Sequence, residues 1–246
     1  MKKKIKKLSQ VSPYSFYEVF RDRRLLKRRF TKQENLFRSY GEGNSEIKLH
    51  IGCGANFLEG WLNTDIDDSD ERIAYLDAGE EFPLSTESFD FIFSEHLFEH
   101  LNVEQQVIML RESLRILKPN GIMRIATPSL GFLNRLYNNP DKELHEEYIK
   151  WAVETSPYLS AVKESIKDES KFYCYVINNF YKAWGHKMIH NFDSIYALAI
   201  QSGYSECKIA KVHESSIKAF QNIEKHGTVI PEKFNILETM VVELKK

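Results

Sequence analysis

Gly52 and Gly54 close the apolar run Lys48-Leu49-His50-Ile51, and thirteen residues after Gly52 stands Asp65, at the end of a second stretch, Trp61-Leu62-Asn63-Thr64. Glycines let a backbone lie against a ligand without an intervening Cβ, and an ionised carboxylate accepts hydrogen bonds from ribose hydroxyls. Strand, glycine turn, strand and acid, in that order, can hold a nucleoside cofactor at the edge of a parallel sheet. A second set of reactive side chains lies in Ser94-Glu95-His96-Leu97-Phe98-Glu99-His100. His186, His190 and His213 follow far downstream. Histidine exchanges protons near neutral pH and is the usual general base. His96, Glu99 and His100, with His186 and His190 one turn apart if Gly185–Asn191 is helical, also offer donor types that divalent cations bind.

The glycine turn can be tested against a dinucleotide site. A pyrophosphate cradle needs Gly-x-Gly-x-x-Gly, followed by an acid roughly 20 residues on. Here Phe57 stands at the third glycine position and Asp65 arrives early. The turn alone fits an ordinary strand-to-helix connection as well as a cofactor site, so the surrounding elements must decide.

Those elements read as α/β. Short apolar runs predict strands at 47–51, 61–65, 73–76, 89–93 and 121–126. Between the last two, Val107, Leu110, Leu114 and Leu117 recur at helical spacing. Asn102 and Gln105 form a capping-box pattern at the start of that helix, and Pro119-Asn120-Gly121 stops it. From about 129 to 190 the strand rhythm gives way to a helical stretch rich in Phe, Tyr and Trp, expected to cap the carboxyl ends of the strands. A helix near 192–202 ended by Gly203, a strand near 204–210 and a final antiparallel strand over 236–244 complete the pattern. The expected architecture is a Rossmann-like, seven-stranded, mostly parallel sheet with the last strand antiparallel and helices on both faces. Residues 46–246 then form one domain carrying the helical cap.

At 246 residues the chain can bury a sizeable core, and no apolar run approaches bilayer length. Cys53, Cys174 and Cys207 are too few and too scattered for a disulfide framework or a zinc cluster, so a cytoplasmic setting is expected. The start is basic but lacks the apolar centre of a signal peptide. Residues 1–40 hold thirteen Lys/Arg against three Asp/Glu in a chain of net charge −1. The expectation for 1–45 is a basic helical extension whose Tyr14, Phe16, Tyr17, Phe20 and Phe30 pack on the main domain. Peripheral contact with anionic lipid is open to it, and nucleic acid is not expected, because such enzymes usually carry a basic stripe on the catalytic domain too.

The ordered set Leu49-His50-Ile51-Gly52-Cys53-Gly54, Asp65, Asp77-Ala78, Ser88-Phe89-Asp90-Phe91-Ile92 and Leu114-Arg115-Ile116-Leu117-Lys118-Pro119-Asn120-Gly121 resembles class I S-adenosylmethionine-dependent methyltransferases. Gly60-Trp61-Leu62-Asn63-Thr64-Asp65 with the Glu–His pairs after residue 94 is similar to a bacterial subgroup linked to surface-polysaccharide genes. The resemblance implies S-adenosylmethionine as cofactor. Gly52, Cys53 and Gly54 would lie along its methionine and ribose parts, with the Cys53 side chain a small filler beneath the turn. Asp65 would take the ribose hydroxyls, with Asp67 in reserve because the first helix must be very short. Asp77 would take the adenine amino group, Ala78 would place a backbone amide at the ring, and Ser94 would stand near the methyl.

Methyl transfer is an in-line displacement in which the enzyme mainly holds donor and acceptor at attack distance. An oxygen acceptor also needs a base, for which His96, His100 and His186 are the candidates and His96, just past the fourth strand, comes first. Similar Glu–His pairs occur in metal-free relatives, so a divalent metal at His96, Glu99 and His100 stays open but is not favoured. The implied activity is O-methylation of a small molecule or sugar-type building block. A nicotinamide-dependent oxidoreductase on the same sheet and a non-catalytic nucleoside-binding module are the alternatives.

Overall fold

Seven strands form one sheet in the order β3-β2-β1-β4-β5-β7-β6 in a computed structural model describing residues 31–33, 35–37, 39–40 and 45–246. β1 (Lys48–Ile51), β2 (Leu62–Asp65), β3 (Ala74–Tyr75), β4 (Phe89–Glu95) and β5 (Leu117–Pro128) are parallel to their neighbours. β7 (Thr239–Lys245) inserts antiparallel between β5 and β6 (Glu206–Ala210). The chain therefore has the Rossmann-like sheet expected from its sequence, with the last strand antiparallel.

Alternate residues of the strands feed two layers, as a pleated sheet requires. Leu49, Ile51, Ile92, Met123, Ile125, Val242 and Leu244 pack on one face with α1 (Val103–Ile116) and α6 (Phe192–Ser202). The capping box forms at α1: the Asn102 side chain accepts the Gln105 N–H at 2.9 Å and Gln105 returns the bond at 3.0 Å. At the end of α6, Gly203 takes the left-handed conformation, φ 109°, that closes a helix without a Cβ clash. Phe93, Ala126 and Val241 face the other way, against Leu58, Trp61, Phe220 and Ile223. That layer is covered by the segment after β6 and a short 3-10 turn, Lys218–Phe220.

No helix stands between β1 and β2, where a very short one was expected. Asn63 holds the connection instead. Its Oδ1 accepts the Leu58 N–H at 3.0 Å, and its amide donates to the carbonyls of Leu58 and Trp61. Those bonds fix Oδ1 as an acceptor, so the buried His50 Nδ1, 3.1 Å away, donates to it. Burial outweighs that bond and brings the His50 pKa down to about 4. A histidine of unfolded pKa about 6.5 that stays neutral in the fold stabilises fully above that value. The contribution, about 3 kcal/mol, is lost as pH falls from about 6.5 to about 4. NMR titration of the histidine rings should show His50 unprotonated down to about pH 4, and a folded-state midpoint near 6.5 would contradict this burial.

Between β5 and α6 lie α2 (Leu130–Asn138), α3 (Glu143–Thr155), α4 (Ser160–Ser165) and α5 (Phe172–Lys182). They share a core of Phe132, Leu136, Tyr148, Val153, Phe172 and Phe180. The stretch read as a final strand over 236–244 divides. Residues Glu232–Glu238 form α7, because Phe234 and Leu237 turn into that helical core, and the strand starts only at Thr239. Gly185–Asn191 is not helical, so His186 and His190 do not share a helix face.

Near the amino terminus the described residues of 31–40 are helical, and Leu36, Phe37 and Tyr40 pack on the sheet core. Lys32 Nζ donates to the carbonyls of Asp68 and Asp70 at 2.7 Å, and Tyr40 Oη donates to Gly60 O at 3.0 Å. Tyr14, Phe16, Tyr17, Phe20 and Phe30, with most of the basic arm, lie outside the described residues. No described helix is long and apolar enough to cross a membrane.

Candidate active site

The carboxyl ends of β1, β2 and β4 meet at one edge, with Ile51 beside Thr64 on one side and Ser94 on the other. Ligands bind at this edge in open α/β sheets. The turn after β1 is built from left-handed glycines, Gly52 at φ 69° and Gly54 at φ 49°. Gly52 and Cys53 both donate their N–H to Thr64 O, at 2.9 and 3.0 Å, which binds the turn to β2. A Cβ on Gly52 would stand 2.6 Å from Leu97 Cδ2, so glycine is what lets the β4 end approach. A Cβ on Gly54 would meet nothing within 4 Å. Asp65 faces this opening, one carboxylate oxygen accepting the Gly54 N–H at 2.9 Å and the other the Asp67 N–H.

The remaining residues singled out for the cofactor differ in what they present. Cys53 is buried, its thiol pushed up to about 12 by burial first and by Asp65, as suits a filler beneath the turn. Asp67 is exposed and engaged by the Ser69 N–H, further from the turn than Asp65. Asp77 accepts the Gly79 N–H at 2.8 Å with one oxygen, and Ala78 beside it is buried. Ser94 is fully buried, and its hydroxyl has no hydrogen-bond partner among the described residues.

Past β4 the backbone turns sharply: His96 is left-handed at φ 48°. Its Nδ1 lies 3.2 Å from Glu99 Oε1, and its ring stacks on His226 with centroids 3.8 Å apart. Burial works against the charged imidazole, but Glu99, Glu238 and Glu95 together hold its pKa above the ordinary value. Glu95, the other acid of the motif, is a fastener. Both its oxygens accept backbone N–H bonds from Lys225 and His226, pinning the His226 loop over the strand end.

Between the strand ends and the helical insertion is a cavity of about 440 Å³. His96, Glu99, His100, His186 and His226 line its polar side, and Trp151, Phe180 and Trp184 its apolar side. The three histidines proposed as bases are thus brought together. His100 and His186 face each other with centroids 4.8 Å apart, and His186 Nδ1 hydrogen-bonds Phe180 O at 2.6 Å. His190 is buried against Phe98 and Ser194 and does not line the cavity. His213 is held by Glu224 and Glu232 on the loop after β6, also away from it. Sequence reasoning missed His226, Tyr148 and Glu238, whose carboxylate accepts the Tyr148 hydroxyl. None of the three sits in a motif; only the folding of distant segments joins them to His96.

Residues 49–125 match the family model described as a methyltransferase domain. Among solved structures, an S-adenosylmethionine-dependent methyltransferase of Archaeoglobus fulgidus is 19% identical, covering 96% of this chain and 100% of that one, with a TM-score of 0.45. A Thermotoga maritima counterpart, titled a possible histamine N-methyltransferase, is 15% identical over 92% and 97%, TM-score 0.45. One from Mesorhizobium loti is 16% identical over 82% and 91%, TM-score 0.44. No curated protein sequence matches the chain. The matched domain spans β1 to β5 and so includes the glycine turn, Asp65, Asp77 and the His96 bend. Residues 49–125 thus carry a methyltransferase domain, the mark of a group-transfer enzyme.

Proposed function

We propose that this methyltransferase methylates a hydroxyl of a small molecule held in the 440 Å³ cavity, with His96 as the base. The observation that carries the reading is the His96–Glu99 pair, set at the end of β4 with both residues lining that cavity. The open left-handed turn at Gly54 and the Asp65 carboxylate beside it suit the nucleoside part of S-adenosylmethionine, because no side chain fills the space. Asp77 and Ala78 would hold the adenine. When bound, the cofactor supplies a methyl group on a positively charged sulfur that departs as a neutral thioether. His96 removes the acceptor proton as the oxygen attacks, and Glu99 steadies the imidazolium that results. Trp151 and Trp184 offer flat faces to the C–H side of a sugar ring, which favours a saccharide unit, a building block of a surface polysaccharide, as the acceptor.

The cofactor and acceptor parts are tested separately. S-Adenosylmethionine or S-adenosylhomocysteine at about a hundredfold excess over Kd should raise Tm by roughly 5–10 °C. A response to NAD alone would overturn the assignment of the turn. Gly54→Ala should fold at a cost of about 1–2 kcal/mol for its left-handed backbone and lose most of that shift, because its Cβ enters the opening. For the acceptor, nucleotide-activated sugars are incubated with labelled cofactor and the products analysed by mass spectrometry. O-Methylated sugar supports the reading, whereas label only in RNA or protein refutes it.

A further inference from the structure

Glu99, His100 and His186 each present one ligand atom, and all three atoms lie within 4.8 Å of one another on the cavity wall. We infer that these residues bind a divalent transition cation of the zinc type. The inference deepens the acceptor-site reading above and rests on it only for what the cation does, not for whether it binds.

The central observation is the state of Glu99. Its side chain is fully buried, and among the described residues Oε1 has ion-pair contacts with histidine rings in place of a regular hydrogen bond. A buried ionised oxygen left so is costly unless something positive faces it. His96 Nδ1 faces it at 3.2 Å and His100 Nε2 at 3.9 Å, so imidazoles gather around this one carboxylate oxygen. The other oxygen is already oriented, accepting the Thr127 hydroxyl at 3.0 Å.

The imidazoles are prepared in the same sense. His186 Nδ1 donates to Phe180 O, which puts the proton on Nδ1 and leaves Nε2 as a bare lone pair. Such an outer bond to a backbone carbonyl is how metal-binding histidines are held. The segment carrying His186 is tied to the carboxylate's own residue: Lys187 and Met188 both donate their N–H to Glu99 O, at 2.8 and 3.2 Å. Thus the third ligand is fixed beside the first two although 86 residues separate His186 from His100 in sequence.

Two imidazoles and one carboxylate select zinc and its neighbours over magnesium or calcium, which prefer all-oxygen sites. Bonds of about 2.0–2.2 Å require the ligand atoms to draw in by roughly 1 Å, within the reach of side-chain rotation at His100 and His186. Three protein ligands leave a position open toward the cavity, the pattern of catalytic rather than structural sites. An acceptor hydroxyl entering that position would be acidified there, easing its transfer of a proton to His96.

The test uses the full untagged chain freed of metal by a chelator. Calorimetric titration with zinc, manganese and magnesium chlorides should show one zinc per chain and much weaker magnesium. Cobalt(II) should give the intense visible bands of a low-symmetry site. His100→Ala and His186→Ala, both on partly exposed side chains, should each weaken zinc by more than the roughly 10-fold expected for the outer-shell Thr127→Val. No stoichiometric zinc, magnesium bound as tightly, or zinc unaffected by both histidine variants would overturn the site. S-Adenosylmethionine binding is measured on the same samples. A chain that binds the cofactor but takes up no stoichiometric zinc would overturn only the metal, and zinc bound through these residues supports the site whether or not the cofactor binds.

Discussion

His96→Asn should lower kcat by about 100-fold to 10,000-fold, the range for losing a positioned general base, while leaving the S-adenosylmethionine Kd nearly unchanged. The choice of asparagine matters. His96 sits at φ 48°, a conformation that most side chains resist and asparagine adopts readily. Alanine there would add backbone strain and shift Leu97, which packs on Gly52 in the glycine turn. Asparagine removes the base and keeps the bend. A stopped-time assay with the identified acceptor, paired with a cofactor titration, separates the two effects. Full turnover by His96→Asn would move the proton to His226, which stacks on the same ring, or to no protein base at all.

Arg124→Met should destabilise the fold by about 3–5 kcal/mol, the cost of leaving buried charges without their partner. Arg124 is the largest fully buried side chain among the described residues, lying on the sheet face away from α1. Its guanidinium donates to Glu224 at 2.6 Å, Glu243 at 2.7 Å, and the carbonyls of Glu214 and Lys211. It thereby ties the whole segment after β6 to β5 and β7. Out of a typical total of roughly 5–15 kcal/mol, such a loss is decisive. Urea denaturation gives the midpoint shift. Replacing Glu224 and Glu243 by Gln in the same chain should recover part of it, because the stranded charges are then gone. An unchanged midpoint in Arg124→Met would show that the cluster contributes nothing net.

The same segment shows how structure and site are coupled. It carries His226, and Glu95 pins it by accepting the N–H groups of Lys225 and His226. In Ser94-Glu95-His96 the sequence presents two adjacent groups of apparently equal chemical promise. In the fold, Glu95 spends both oxygens on backbone, and His96 alone faces the cavity.

Much of the frame is local in origin and was therefore legible. Strand periodicity located β1 to β5, the Asn102/Gln105 pair marked the start of α1, and Gly203 marked the end of α6, because each depends on residues a few positions apart. The glycine turn and Asp65 were legible for the same reason: one carboxylate–amide bond joins them across eleven residues. Local pattern failed where distant packing prevailed. Ile236-Leu237-Glu238 has strand-like neighbours, yet Phe234 and Leu237 are drawn into the core of the helical insertion and the segment coils into α7. His186 and His190 share helical spacing, but the Glu99 carbonyl takes the N–H groups of 187 and 188 that a helix would use, and only His186 reaches the cavity.

The sequence by itself determined the sheet, the glycine turn and the chemical class, since each is written in short-range spacing. Only the tertiary structure decided which histidines meet. Glu99, His100, His186 and His226 come from segments up to 127 residues apart, and what gathers them is hydrogen bonds to Glu95 and Glu99 together with the cavity that the helical insertion closes above them.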